Sequence, residues 1–173
     1  MVICQLWRFS FTLPPLFWWW DLRDVEKPCL RKNYIHYCYG AWQDRFQSMQ
    51  DEGIEFHEGI PEYQDLVQWF PQGGRILVLD DLMDEGSGDK RVLDLFTKHS
   101  HHQNVTVLYL CQDMFPVGKY AKSISRNAHY IVAFKNPRDQ LGVRNVLLQS
   151  CPTEWKTVET RFITSPVDLL VTC

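Results

Sequence analysis

Apolar residues along the chain are concentrated in short runs that polar, glycine- or proline-bearing stretches separate. The runs at 76–79, 105–111 and 129–134 are nearly continuous in aliphatic and aromatic residues. Such runs are typical of strands that are buried on both faces, as in a parallel sheet. The distances between them leave room for a helix in each connection, which predicts right-handed strand–helix–strand units. The predicted fold class is therefore α/β, a mainly parallel sheet with flanking helices.

Weaker periodicities and turn residues predict the remaining elements. Further strands are predicted at 33–39, 54–56 and 169–171, and helices at 42–49, 61–70, 89–99, 120–125 and from 136 onward. Asp89 is the predicted N-cap of the third of these helices, and Asn136-Pro137 the predicted cap and first residue of the last. Residues 71–74 and 84–88 are predicted to form a turn and a loop.

Two aspartates follow the first buried run directly and carry the clearest chemical signal. Asp80 and Asp81 come at the carboxyl end of a predicted parallel strand, where open α/β sheets bind ligands. Adjacent carboxylates repel each other, so a fold tolerates them best where a cation or solvent stabilises them. In P-loop NTPases such a strand carries the acid that holds Mg²⁺, and a second acid can activate water. The alternative is a core strand that runs into a solvated acidic turn.

Composition and charge limit the class of protein. The 173 residues suffice for one domain with a core, and the formal charge of −3 gives no global basic field for nucleic acid. Six scattered cysteines without a Cys-x-x-Cys pair predict reduced thiols. The apolar stretch 9–20 is interrupted by Pro14-Pro15, is too short to span a bilayer, and lacks a signal peptide's early positive charge. We therefore expect an intracellular protein that is neither secreted nor bound to a membrane.

Five blocks of residues occur in an order that is similar to one family. They are Tyr-Cys-Tyr-Gly-Ala-Trp-Gln at 37–43, Val-Leu-Asp-Asp-Leu-Met at 78–83, Leu-Phe-Thr-Lys-His-Ser-His-His at 95–102, Gln-Asp-Met-Phe at 112–115, and Asn-Ala-His-Tyr-Ile-Val at 127–132, continued at 134–139. In these blocks the chain resembles the genome-packaging ATPases of Polinton/Maverick elements, adintoviruses and related large DNA viruses, including the poxvirus type. Those enzymes belong to the FtsK/HerA branch of P-loop NTPases. The resemblance covers 37–149, about two thirds of the chain.

The resemblance implies roles for particular residues. Asp80 corresponds to the Walker B residue that positions Mg²⁺, and Asp81 to the catalytic acid that polarises water, where most relatives have Glu. Gln112 stands where the superfamily keeps a sensor of the γ-phosphate, a role for which an amide can both donate and accept. Arg126 and Arg138 are candidates for a finger that reaches a neighbouring subunit's nucleotide.

It also implies cofactors, partners and domains. The cofactors would be ATP and Mg²⁺, and the activity would be translocation of double-stranded DNA into a capsid by a homo-oligomeric ring that contacts capsid components. Such a motor would act where capsids assemble, in the nucleus or the cytoplasm. On this basis 33–150 form the ATPase-like domain, 1–32 a divergent leader that is disordered or mispredicted, and 151–173 a divergent tail.

The chain departs from the family in one essential motif. A Gly-x-x-x-x-Gly-Lys-Ser/Thr turn, whose backbone N–H groups and lysine cradle phosphates, does not occur in the sequence. The stretch Gly-Ser-Gly-Asp-Lys at 86–90 lacks the spacing and follows the wrong strand. We therefore expect an incomplete P-loop core, a truncated or degenerate copy with little or no ATP hydrolysis. The alternatives are a nucleotide-independent interaction scaffold or a non-functional fragment.

Two further groups of residues have functional and structural explanations. His99, His101 and His102 lie near a predicted helix end, where zinc binding competes with ordinary helix-terminus packing. Lys119 and Lys122, together with Arg126, could contact DNA phosphates or simply form a solvated helix face.

Overall fold

The computed structural model describes residues 2–5, 35–71, 75–113, 115–134, 136, 139–164 and 169–172. Within these residues one sheet of seven strands has the order β3-β2-β4-β5-β1-β6-β7. The strands are β1 Val2–Gln5, β2 Ile35–Tyr39, β3 Glu55–Glu58, β4 Arg75–Asp80, β5 Val105–Leu110, β6 Tyr130–Ala133 and β7 Leu169–Thr172. All the strands that the sequence pattern predicted from residue 33 onward are present, with ends that differ by one or two residues where they are described.

The four neighbouring strands β3, β2, β4 and β5 are parallel, which confirms the predicted α/β class. The other half of the sheet is antiparallel, because β1 pairs in that direction with both β5 and β6, and β7 pairs in that direction with β6. β5 and β6 consequently run in the same direction but are not neighbours. The crossover between them leaves a gap one strand wide, which β1 fills.

β1 comes from the region that was expected to be a leader, and no element was predicted there. Val2–Gln5 is only four residues long, too short for a period-two or 3.6 pattern to stand out. Its place in the sheet depends on pairing with residues more than a hundred positions away, at 107–110 and 130–132. The rest of the expected leader lies outside the described residues, as do the turn residues 72–74.

The described helices are short and lie between the strands. They are α1 Arg45–Asp51, α2 Tyr63–Trp69, α3 Met83–Gly86, α4 Lys90–Asp94, α5 Ser100–Gln103, α6 Ala121–Asn127, α7 Gln140–Ser150 and α8 Trp155–Thr164, with a π-helical segment, Leu95–His99, that joins α4 to α5. Asp89 caps α4 as predicted, since its side chain accepts a hydrogen bond from the Arg91 N–H. None of the helices in this part of the chain combines the length and the apolar character needed to cross a membrane.

Two predictions about the helices were wrong, and one helix was missed. Residues 84–88 were expected to be a loop, but Met83–Gly86 form α3, whose first turn carries Asp84 and Glu85. Acidic side chains favour a helix N-terminus because they complement its dipole, a signal that the glycines obscured. The N-cap of α7 is Asp139, whose Oδ1 accepts from the Gly142 N–H at 3.0 Å, rather than Asn136. α8 was not predicted at all.

Alternation along the strands divides the core between the two faces of the sheet. Leu77 and Leu79 of β4 pack with Val107 and Tyr109 of β5 under the α4–α5 helix and α6. On the opposite face Val78 packs with Tyr37 and Phe46. A separate apolar cluster joins β6 to α7 and α8. The centre of the sheet is therefore fixed from both sides, and the ends of β2, β4 and β5 are held in register.

Candidate functional site

The carboxyl ends of β2, β4 and β5 meet at one edge of the sheet, and Asp80 ends β4 there. Its carboxylate is only 16% exposed. Asp81 follows with a φ of +55°, in the left-handed region that aspartate tolerates better than most residues. The site therefore begins with a sharp change of backbone direction directly after the buried strand.

Gly40, which follows β2, holds this turn in place. Its N–H donates to the Asp80 carbonyl at 3.1 Å. A Cβ at this position would lie 2.1 Å from the carbonyl oxygen of Asp81, far inside van der Waals contact. The absence of a side chain at Gly40 therefore lets the two turns pack backbone against backbone.

The Asp80 carboxylate has two neighbours on the α1 side of the sheet. The Tyr37 O–H donates to Oδ2 at 2.6 Å, the short distance of a hydrogen bond to a charged acceptor. The Arg45 guanidinium lies 3.6 Å from the same oxygen. Burial raises the pKa of Tyr37 well above its usual range, and the bond to Asp80 raises it further. Tyr37 is thus a neutral donor at any physiological pH.

Asp81 contacts the third predicted residue of the site. The Gln112 side-chain amide, just beyond the end of β5, donates through Nε2 to Asp81 Oδ1 at 3.3 Å. Both side chains are exposed. Because β4 and β5 are adjacent and parallel, their carboxyl ends bring these side chains together. The structure therefore assembles Asp80, Asp81 and Gln112 at one place.

Arg126, one of the two predicted arginines, is not part of this assembly. Arg126 lies exposed in the last turn of α6 and is not among the described residues that line the cleft beside Asp80. Arg138 lies outside the described residues. A role for either one toward a neighbouring subunit's site stays a prediction.

A cleft of about 580 Å³ opens at this edge of the sheet. Its described lining residues are Gly40, Ala41, Asp80, Asp81, Met83, Asp84, Glu85, Leu110, Cys111, Gln112 and Phe134. Four of these are carboxylates and none is a lysine or arginine. The cleft is therefore strongly acidic, and a bare anion would enter it against electrostatic repulsion.

α3 supplies two of the carboxylates, which sequence reasoning missed. Asp84 and Glu85 reach the cleft because α3 turns back over the end of β5, where the Tyr109 O–H lies 3.3 Å from the Leu82 carbonyl and 3.4 Å from that of Met83. The signal that could have found them is the acidic pair at a helix start. Cys111 also lines the cleft, but burial raises the pKa of its thiol to about 12, so it is no nucleophile at neutral pH.

The residues present fit one implied cofactor and not the other. Mg²⁺ is commonly held by one or two carboxylates, with water and substrate phosphates completing its shell, and Asp80 can provide such a carboxylate. In the part of the chain that the structure describes, no three His, Cys, Asp or Glu side chains form a complete metal site. For the phosphates of ATP the sequence contains no P-loop glycine cradle, and no lysine is among the described residues that line the cleft.

Among the described side chains of the histidine group, His99 packs within the fold. Its ring lies against that of Tyr63 with centroids 4.6 Å apart and planes tilted by 35°, and burial lowers its pKa, which disfavours the charged form. His102 is exposed, and no three-ligand cluster forms around these residues within the described chain. Lys119 and Lys122 are exposed near the start of α6, with the Lys119 ammonium 5.0 Å from the centre of the Tyr120 ring. Their contact with DNA stays a prediction.

The chain matches no protein-family model, and no curated protein or solved structure matches it significantly.

Proposed function

We propose that this chain is the metal-positioning and water-activating part of a genome-packaging ATPase of the FtsK/HerA type, without the phosphate-binding loop. The observation that supports it best is the convergence of Asp80, Asp81 and Gln112 at adjacent ends of parallel strands, with Gln112 Nε2 3.3 Å from Asp81 Oδ1. The family resemblance assigns roles to these same three residues. Mg²⁺, when bound, would neutralise part of the acidic cleft and polarise oxygens that coordinate it.

Each residue has a role that its surroundings support. Asp80, whose side chain is mostly buried and accepts a hydrogen bond from Tyr37, holds a fixed carboxylate toward the cation. Asp81 is exposed, so it can accept a proton from a water molecule in the cleft. Gln112 keeps the Asp81 carboxylate oriented and has an amide oxygen left to accept a hydrogen bond from that water.

The larger assembly is part of the same proposal. Double-stranded DNA would be the substrate of translocation, and capsid components and further copies in a ring would be the partners. Arg126 and Arg138 would then act on a neighbour's site. Because the phosphate cradle is missing from the sequence, this chain by itself hydrolyses little or no ATP.

Metal binding by the purified full chain tests the proposal. Mn²⁺, a paramagnetic substitute for Mg²⁺, should bind the unmodified protein, and Asp80→Asn should lose most of that binding. Asp51→Asn is the matched control, because Asp51 is an exposed aspartate on α1 that contacts only Gln47 among the described hydrogen bonds. Any affinity for a fluorescent ATP analogue should require the metal, since the cleft's own charges oppose phosphate. Equal Mn²⁺ affinity in all three proteins would rule the proposal out.

The composition of the cleft favours a second candidate, a nucleotide-independent interaction scaffold. Four carboxylates and no cationic side chain among the described lining residues would suit a basic partner as well as a metal ion. A scaffold predicts that neither Mn²⁺ nor ATP binds in an Asp80-dependent way. The same titrations therefore separate the two functions.

A further inference from the structure

Tyr37 lies in the middle of β2, next to the strand that ends in Asp80. The register pairs Tyr37 with Val78 and Tyr39 with Asp80. Since side chains alternate along a strand, Val78 and Asp80 project from the same face of the sheet. A tyrosine opposite Val78 that leans toward the carboxyl end therefore reaches the Asp80 carboxylate, as the 2.6 Å hydrogen bond records.

The surroundings of the Tyr37 ring would suit a phenylalanine equally well. The ring is buried, with the rings of Phe46 and Phe56 each centred 5.3 Å away. A hydroxyl in such an apolar pocket is unfavourable unless it has a partner, and Asp80 Oδ2 is the acceptor it reaches. The Tyr37 hydroxyl therefore contributes a hydrogen bond to the Asp80 carboxylate and is not needed for packing of the core.

The bond also selects which Asp80 oxygen can face a ligand. Oδ2 is occupied by Tyr37 and lies near Arg45, so Oδ1 is the oxygen left for a cation in the cleft. A buried donor on a strand holds the side-chain rotamer far more firmly than solvent would. Groups that orient metal ligands in this way typically contribute about 10- to 100-fold to metal affinity.

We infer that Tyr37 is a positioning residue for the divalent cation, acting through Asp80 by fixing its carboxylate with Oδ1 toward the cleft. This inference rests on the proposed function, because it needs a cation at Asp80. It assigns a role to a residue of β2 that is not itself expected to touch metal, nucleotide or water.

The test compares Mn²⁺ affinity in four full-length proteins, measured by loss of the free Mn²⁺ paramagnetic resonance signal. They are the unmodified chain, Tyr37→Phe, Tyr39→Phe and Asp80→Asn. Tyr39→Phe is the matched control, because Tyr39 lies on the same strand and its described contacts are with the aromatic rings of Trp42, Phe46 and Phe56. We expect a roughly 10- to 100-fold weaker affinity in Tyr37→Phe, no change in Tyr39→Phe, and loss of binding in Asp80→Asn.

The outcomes distinguish a failure of the role inferred for Tyr37 from a failure of the proposed function. Unchanged affinity in Tyr37→Phe, with loss in Asp80→Asn, overturns the role of Tyr37 and leaves the proposed function standing. Binding that is absent, or indifferent to Asp80→Asn, overturns both.

A second measurement covers the case in which near-ultraviolet circular dichroism shows that Tyr37→Phe does not fold. Mn²⁺ affinity is then compared between the unmodified chain and Asp80→Glu, which keeps the charge but moves the carboxylate away from the position that the Tyr37 O–H fixes. We expect Asp80→Glu to bind Mn²⁺ at least about tenfold more weakly. Equal affinity in the two proteins overturns the inference.

Discussion

Replacing Gly40 with alanine tests the backbone packing on which the site is built. The added Cβ would lie 2.1 Å from the Asp81 carbonyl oxygen and 3.1 Å from its carbonyl carbon, and both of these are backbone atoms. A flexible side chain could move away from the added Cβ, but these are backbone atoms. Either the turn after β2 or the turn after β4 must therefore shift. The shift would also lengthen the 3.1 Å hydrogen bond from the Gly40 N–H to the Asp80 carbonyl.

The expected magnitude follows from these two effects. Overpacking costs roughly 1–3 kcal/mol, and loss of a backbone hydrogen bond costs about 1 kcal/mol. We therefore expect Gly40→Ala to lower the free energy of unfolding by about 3 kcal/mol. In a chain of this length that corresponds to a fall in Tm of roughly 6–12 °C.

Thermal unfolding followed by circular dichroism measures the effect. Gly88→Ala is the matched control, because a Cβ there would meet only the Glu85 carbonyl oxygen at 3.8 Å, an ordinary contact. Its cost should stay within about 0.5 kcal/mol. Equal Tm values for the two variants would refute the reasoning, since they would mean that the turns of β2 and β4 do not pack as described.

Two further predictions concern titration and thiol reactivity. The hydrogen bond from Arg91 lowers the pKa of Asp89, so this carboxylate adds stability that is complete above its unfolded-state pKa and is lost as pH falls through the folded-state value. Asp89→Asn should therefore flatten the acid limb of a stability–pH curve from urea unfolding, and an unchanged limb would contradict the assignment. Burial raises the pKa values of Cys38 and Cys111 to about 12, so both should resist iodoacetamide at pH 8, while the half-buried Cys151 reacts before either of them. Site-resolved mass spectrometry before and after adding urea checks this, and early alkylation of Cys38 would contradict it.

The parallel half of the sheet could be predicted because the apolar residues of its central strands indicate that these strands are buried. β4 and β5 contain nearly continuous apolar runs of strand length, which are typical of strands covered on both faces. β1 could not be predicted, because four residues carry no periodicity and their pairing partners are distant in sequence. α3 was not predicted, because the glycine at its end favours a loop. Packing against Tyr109 stabilises the helix despite that local preference.

The site was predictable where it depends on strand ends and not where it depends on register. Asp80, Asp81 and Gln112 follow buried strands directly, so sheet geometry alone brings them to one edge. Tyr37 reaches Asp80 only because β2 and β4 pair in one particular register, which a single sequence does not specify. Asp84 and Glu85 could be assigned to the site only once α3 was known, because that helix brings them to the cleft.

The left-handed backbone at Asp81 bears on which acid can occupy this position. Asp and Asn adopt positive φ several times more readily than other non-glycine residues, because their short polar side chains can bond to the local backbone. A glutamate here would gain one methylene of reach at the cost of a less favourable main-chain conformation. The main-chain conformation at this position therefore favours the shorter acid over glutamate. Replacement of Asp81 by Asn or Gly would keep this main-chain conformation more easily than replacement by Glu. The carboxylate could therefore be lost by substitution without loss of the fold.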